Sequence, residues 1–337
     1  MEEASTPDGI HNESTHLKKD FPFTITEKKD YGRGDVQVVQ VLPPEIAALP
    51  EAERKKTHLF IYCQPWYVTG GHELERLLDD LQALAKSTQG AEPVRVIGVA
   101  YTGERISNSS RIVDRLPEGV KVTQLQVDKA RDIVAAVEDL DLLEEGQKAE
   151  IIGYSAGGPV ALLAAYYGVP IDTVGGFNPA SLDNKGYVRT AAGVIVESIA
   201  NALWRTPKER TDLIKLLENK ENGHPNRYAY EGQESRSITD RAARSLSENI
   251  AVGRSKTHQL IRELPGVEHI IGKSKWDFIY PRRRTKKVLR EVGASNITFV
   301  DLDWSGHHLE SIPALRRERL GEIGQVMKNA RESKGSA

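Results

Sequence analysis

From residue 57 to residue 177, short apolar runs alternate with longer stretches of helical periodicity, and this restricts the chain to few folds. His58 to Cys63 (HLFIYC) is an apolar run that stops at Gln64-Pro65, as a buried strand does. Leucines at 74, 77, 78, 81 and 84 then repeat on one face of a helix over Glu73 to Lys86. Pro93 to Ala100 (PVRVIGVA) predicts a second strand, and Asp128 to Leu143 a second helix with Ile133, Val134, Val137 and Leu140 on one side. Ala149 to Ile152, Gly157 to Tyr167 and Ile171 to Phe177 continue the series as strand, helix and strand. The crossovers are too long for hairpins, so successive strands must run parallel. A parallel sheet is buried on both faces and needs helices on both. The expected fold class is α/β, a mostly parallel sheet flanked by helices.

The remainder of the chain is organised around this core. Residues 1 to about 20 are polar and aperiodic and read as a flexible tail. Phe21 to Thr26 and Val36 to Leu42 are strand-like, with a break rich in Pro and Glu at 43–56. Between about 181 and 262 the alternation stops. Only helical candidates occur there, at 187–204, 207–220 and roughly 237–264, with a loop-like stretch from Asn219 to Gln233. Strand signals resume at Val267 to Ile271 and Ile297 to Leu302, and a last helix covers about 314–331. The expected organisation is a tail at 1–20, one α/β core formed by 21–180 and 263–337, and a helical insertion at 181–262. At 337 residues the chain has about twice the length of a typical domain, and the insertion accounts for the excess. No repeat of 20–50 residues is visible.

Several function classes are excluded by simple counts. Lys plus Arg is 46 against 48 Asp plus Glu, a net charge of −2, so no nucleic-acid partner is expected. The one basic cluster, Arg282 to Lys287, reads as a solvated helix face. Cys63 is the single cysteine, which forbids an intramolecular disulfide or a multi-thiolate zinc site. No metal-binding histidine spacing occurs, and neither metal nor organic cofactor is expected. The longest apolar stretch, Val160 to Val169, is too short for a membrane span, and the first twenty residues lack an apolar signal core. A cytoplasmic protein is expected, with no oligomeric state specified.

One turn carries the chemistry. Ile151 to Gly158 reads IIGYSAGG, a G-x-S-x-G sequence between an apolar strand and the Ala-rich helix beginning at Gly157. A sharp strand-to-helix turn exposes a serine hydroxyl where backbone N–H groups and the helix dipole converge, and small flanking residues make room for it. A Gly-rich turn capped by a serine is the bland alternative. A serine hydroxyl is a weak nucleophile at neutral pH and needs a base, which in turn needs an orienting carboxylate. Downstream, Gly272 to Pro281 reads GKSKWDFIYP after one strand, and Asp303 to Pro313 reads DWSGHHLESIP after the last.

With these segments the chain resembles the α/β-hydrolase superfamily over roughly residues 57 to 331. In that family the chain order is serine, acid, histidine. The resemblance implies Ser155 as nucleophile, Asp277 as triad acid and His307 as base. Asp301 and Asp303 are the reserves for the acid and His308 the competitor for the base. Asp277 also reads as an N-cap of the helix from Arg283. The spacing from Gly272 to Asp277 is wider than the family's commonest form.

The resemblance further implies an oxyanion hole from the Ala156 N–H and an N–H of the loop after His58 to Cys63. That loop reads QPWYVTGG without the family's His-Gly opening. Pro65 has no N–H, which leaves Trp66 by position. Trp66, Tyr67 and Tyr154 are the expected substrate contacts. The insertion at 181–262 occupies the family's cap position. The expected function is hydrolysis of an ester, thioester or amide of a small molecule through an acyl-enzyme on Ser155. An acyltransferase using the same triad, or a non-catalytic ligand-binding protein on the same fold, are the alternatives.

Overall fold

The computed structural model describes residues 20–32, 35–65, 73–90, 92–101, 116–182, 188–190, 192–193, 195–197, 255–293, 296–304, 306–307 and 313–335. Among the described residues, nine strands form one sheet. They are β1 (Phe23–Ile25), β2 (Lys29–Asp30), β3 (Asp35–Val41), β4 (His58–Cys63), β5 (Val94–Tyr101), β6 (Ala149–Tyr154), β7 (Ile171–Phe177), β8 (Glu268–Ser274) and β9 (Ile297–Leu302). The spatial order is β1-β3-β5-β4-β6-β7-β8-β9, with β2 paired beside β3. Every pairing from β5 to β9 is parallel, and β1, β2 and β3 join the sheet antiparallel. The chain moves outward in one direction from β4 to β5 and in the other from β6 to β9. The order therefore reverses between β4 and β6, and a crevice opens outside the carboxyl ends of strands at such a reversal.

Helices cover both faces. They are α1 (Pro44–Ala47), α2 (Glu51–Lys56), α3 (Glu73–Thr88), α4 (Gln124–Asp139), α5 (Gly157–Tyr166), α6 (Arg282–Val292) and α7 (Pro313–Gly335). Along β4, Leu59, Ile61 and Cys63 enter a core shared with α4, α5 and α6, while Phe60 and Tyr62 enter a core shared with α3 and α7. The period-2 alternation feeds two apolar layers, which is why the strand reads as an unbroken apolar run. Burial pushes the Cys63 thiol up, consistent with a small core residue.

Three expectations are corrected. The second helix runs over Gln124–Asp139, not 128–143. It starts earlier because Gln126 Oε1 accepts the Thr123 N–H at 3.0 Å, half of a T-x-x-Q capping box. The break at 43–56 holds α1 and α2, each entered through Pro and Glu, residues suited to a helix start. The helix expected over 237–264 does not continue through its described end. Lys256 instead forms an isolated bridge with Lys121, and His258–Ile261 is a 3₁₀ turn. The tail, the helix expected at 207–220 and most of the insertion lie outside the described residues. In the insertion's first stretch, residues 188–190, 192–193 and 195–197 are helical.

Candidate active site

Four adjacent strands deliver their next residues to one edge of the sheet. Ser155 follows β6, Asn178 follows β7, Asp277 lies three residues beyond β8, and His307 five beyond β9.

Ser155 sits at φ 49°, a left-handed conformation costly for a side chain with a Cβ. The surroundings enforce it. The Ser155 N–H donates to the Phe177 carbonyl at 3.0 Å, and its own carbonyl accepts from Gly158 at 3.1 Å and Ala180 at 2.9 Å. The glycines on either side are steric necessities. A Cβ on Gly153 would lie 2.2 Å from the Gly157 carbonyl oxygen, and one on Gly157 would lie 2.2 Å from the Cys63 carbonyl oxygen. The turn is thus pressed against the end of β4. The Ala156 N–H, at the start of α5, donates to no acceptor among the described residues.

The three sequence-predicted side chains meet. Ser155 Oγ lies 2.7 Å from His307 Nε2, and His307 Nδ1 lies 3.0 Å from Asp277 Oδ2. With the ring proton on Nδ1, His307 donates to Asp277 and accepts from the serine hydroxyl, the arrangement needed to draw a proton from Oγ. The Tyr280 N–H donates to Asp277 Oδ1 at 2.7 Å, so the carboxylate is fixed through both oxygens.

Sequence reasoning missed Lys273. Its Nζ lies 2.6 Å from the same Asp277 Oδ2 that meets His307, and both side chains are fully buried. The ammonium also faces the Tyr280 ring, 5.7 Å from its centroid. Burial by itself would push the Asp277 carboxyl up. The Lys273 charge, then that of His307, outweighs burial and holds the carboxyl well below the usual range.

Two further anchors were also missed. Asn178, buried and at φ 43°, donates through Nδ2 to Ser274 Oγ at 3.1 Å and to the His307 carbonyl at 3.3 Å. Its Oδ1 accepts the Ser274 N–H at 2.8 Å. Ser274 Oγ in turn donates to the Gly306 carbonyl. Glu197, from the segment between β7 and β8, accepts the Phe278 N–H at 3.0 Å and also the His307 N–H. Nothing local in sequence marks any of these. The one available signal is their placement at or just beyond a strand end, or in that segment.

The other expectations divide. Tyr154, expected as a substrate contact, has its ring buried beside Trp304 and His307, and its hydroxyl donates to the His307 carbonyl. The N-cap reading of Asp277 is corrected, because α6 starts at Arg282 with Pro281 as its N-cap. Asp301 and Asp303 are exposed, and Asp301 pairs with Arg282. Gly272 lies inside β8, which explains its wide spacing from Asp277. Trp66, Tyr67 and His308 lie outside the described residues. Among the described residues no group of three His, Cys, Asp or Glu side chains is arranged to hold a metal. No helix among them is long and apolar enough to cross a membrane.

No protein-family model and no curated protein sequence matches this chain. Solved structures do. A thermophilic esterase from Thermogutta terrifontis, with malate bound, matches with a TM-score of 0.50 at 13% identity, covering 93% of this chain and 98% of that one. Carboxyl esterase 2 from the mycorrhizal fungus Tuber melanosporum matches with a TM-score of 0.50 at 16% identity, covering 95% and 89%. An esterase from Exiguobacterium antarcticum matches with a TM-score of 0.50 at 14% identity, covering 88% and 96%. At such identities the likeness is one of fold, and the fold is that of the α/β-hydrolases.

Proposed function

We propose that this protein is a serine hydrolase that cleaves an ester, thioester or amide of a small molecule through an acyl-enzyme on Ser155. One observation carries the reading: the continuous relay from Ser155 Oγ to His307 Nε2 at 2.7 Å and from His307 Nδ1 to Asp277 Oδ2 at 3.0 Å. In this reading Ser155 Oγ attacks the acyl carbonyl carbon while His307 Nε2 takes the hydroxyl proton. Asp277 fixes the imidazole tautomer and stabilises the imidazolium. The oxyanion is held by the Ala156 N–H, with the Trp66 N–H as the second donor. His307 then gives its proton to the leaving group. Water, deprotonated by the same imidazole, attacks the acyl-enzyme and releases the acid. No metal or organic cofactor enters this sequence of steps. The esterases that share the fold are consistent with it.

The test is a fluorophosphonate activity probe. The wild type is expected to be labelled, and Ser155→Ala to lose the label with little change in melting temperature. Equal labelling of both proteins would overturn the assignment. His307→Ala and His308→Ala, compared on short-chain p-nitrophenyl esters, test the base. Turnover is expected to be lost in the first and kept in the second.

A further inference from the structure

We propose that Glu197 of the insertion is a positioning residue of this site, clamping the acid turn to the base turn. The proposal rests on the triad reading above. The Glu197 side chain is fully buried. One carboxylate oxygen accepts the N–H of His307, and the other accepts the N–H of Phe278, the residue directly after Asp277, at 3.0 Å. The two turns are therefore joined through their backbones, independently of the side-chain bond between Asp277 and His307.

Both peptides that flank the histidine Cα are held. The N–H on one side goes to Glu197. The carbonyl on the other side accepts from the Tyr154 hydroxyl and from Asn178 Nδ2. Fixing both peptides fixes the direction of the Cα–Cβ bond, and with it the ring between Ser155 Oγ and Asp277 Oδ2. Tyr154 and Asn178 come from the ends of β6 and β7, inside the core. Glu197 comes from the insertion, 110 residues before His307. Without its carboxylate, two N–H groups within the buried site lose their acceptor, and the base turn loses its tether to the acid turn. The insertion thus takes part in building the catalytic geometry itself.

The experiment compares Glu197→Gln and Glu197→Asp with the full-length wild type. Glutamine keeps one acceptor oxygen for two donors and turns an NH2 toward the other. Aspartate keeps the charge but is shorter by one methylene. For p-nitrophenyl acetate, kcat is expected to fall about tenfold or more in Glu197→Gln, because a small displacement of a catalytic group is costly. KM should stay within about threefold. The rate of fluorophosphonate labelling should fall with kcat, and Glu197→Asp should recover part of both. The second readout is the downfield proton resonance of His307 Nδ1–H bonded to Asp277, expected to weaken or vanish in Glu197→Gln.

A purely architectural role would lower the melting temperature and leave kcat and the resonance unchanged, and that result overturns the proposal. If the probe labels Ser155→Ala as it does the wild type, the triad reading fails by itself. The resonance, followed in a Ser155→Ala background with and without Glu197→Gln, still decides whether Glu197 clamps the two turns.

Discussion

A buried lysine on the oxygen that orients a histidine changes how that carboxylate responds to pH. Asp277 is fully buried, so it stays ionised only because Lys273 and His307 oppose the cost of desolvation. Replacing Lys273 by Met removes the largest opposing charge, and the Asp277 pKa moves up. In the proposed relay a protonated Asp277 no longer accepts the His307 Nδ1–H, so the loss of fluorophosphonate labelling that accompanies Asp277 protonation is expected to set in at higher pH in Lys273→Met than in the wild type. Loss that sets in at the same pH counts against it. The glycines of the elbow give a second test. A Cβ on Gly157 would sit 2.2 Å from a backbone oxygen of β4, which has no side-chain freedom to yield. Gly157→Ala is expected to destabilise by about 1–3 kcal/mol, read by chemical denaturation, and to lose labelling as the turn is displaced. Ser155 was legible from its G-x-S-x-G turn, and Asp277 and His307 from their likeness to the α/β-hydrolase pattern: an Asp with Pro281 four residues on, and a Gly-His before the final helix. Lys273, Asn178 and Glu197 carry no such mark. A Lys four residues before an Asp, or a Glu in an amphipathic stretch, is common on any surface, and only folding reveals that these three are inside.

At the scale of elements, apolar periodicity marked the buried strands and the leucine-faced α3, because burial on both faces leaves an unmistakable run. Boundaries were less legible where capping competed with periodicity. The apolar stripe of α4 suggests a start at 128, yet the Thr123–Gln126 interaction begins the helix four residues earlier. Gln126 Oε1 also accepts from Ser255 Oγ at 2.6 Å, so the helix cap docks the segment that leads into β8. Gln126→Ala is expected to cost about 1 kcal/mol, as lost caps do, measured by thermal or urea unfolding. The helix expected over 237–264 failed at its described end for a tertiary reason: Lys256 pairs with Lys121, and Thr257 donates its N–H to Ser181. Those long-range bonds take the backbone groups that a helix would use.

At the scale of the molecule, acid sensitivity is set by groups far from the elbow as well. His269, at the start of β8, is wholly inside the protein. Burial holds its pKa down at about 4, against about 6.5 for an exposed histidine. Between those values the unfolded chain binds the proton that the folded protein excludes. The stabilising contribution is complete above about pH 6.5 and declines as pH falls towards 4, with a total on the order of 3 kcal/mol. Asp277 has the opposite ionisation but the same direction. Its depressed pKa contributes stability above the ordinary carboxylate pKa, and that stability is lost at lower pH. Unfolding free energy is therefore expected to fall first between pH 6.5 and 4, and this first decline should flatten in His269→Leu. A decline of equal size in the variant would place its cause elsewhere.

The sequence by itself determined the parallel sheet covered by helices and the strand-to-helix turn at Ser155, both written in short-range patterns of apolar spacing and glycine. Asp277 and His307 were singled out by the resemblance to the α/β-hydrolase superfamily rather than by spacing. Only the tertiary structure decided that these residues meet at 2.7 and 3.0 Å. It also put a buried cation beside Asp277, turned the Tyr154 hydroxyl to the His307 carbonyl, and set Asn178 and Glu197 to hold the histidine. Those outcomes depend on which strand ends become neighbours and which polar groups are left without water. Both are settled by packing between residues up to 153 positions apart, beyond any local pattern.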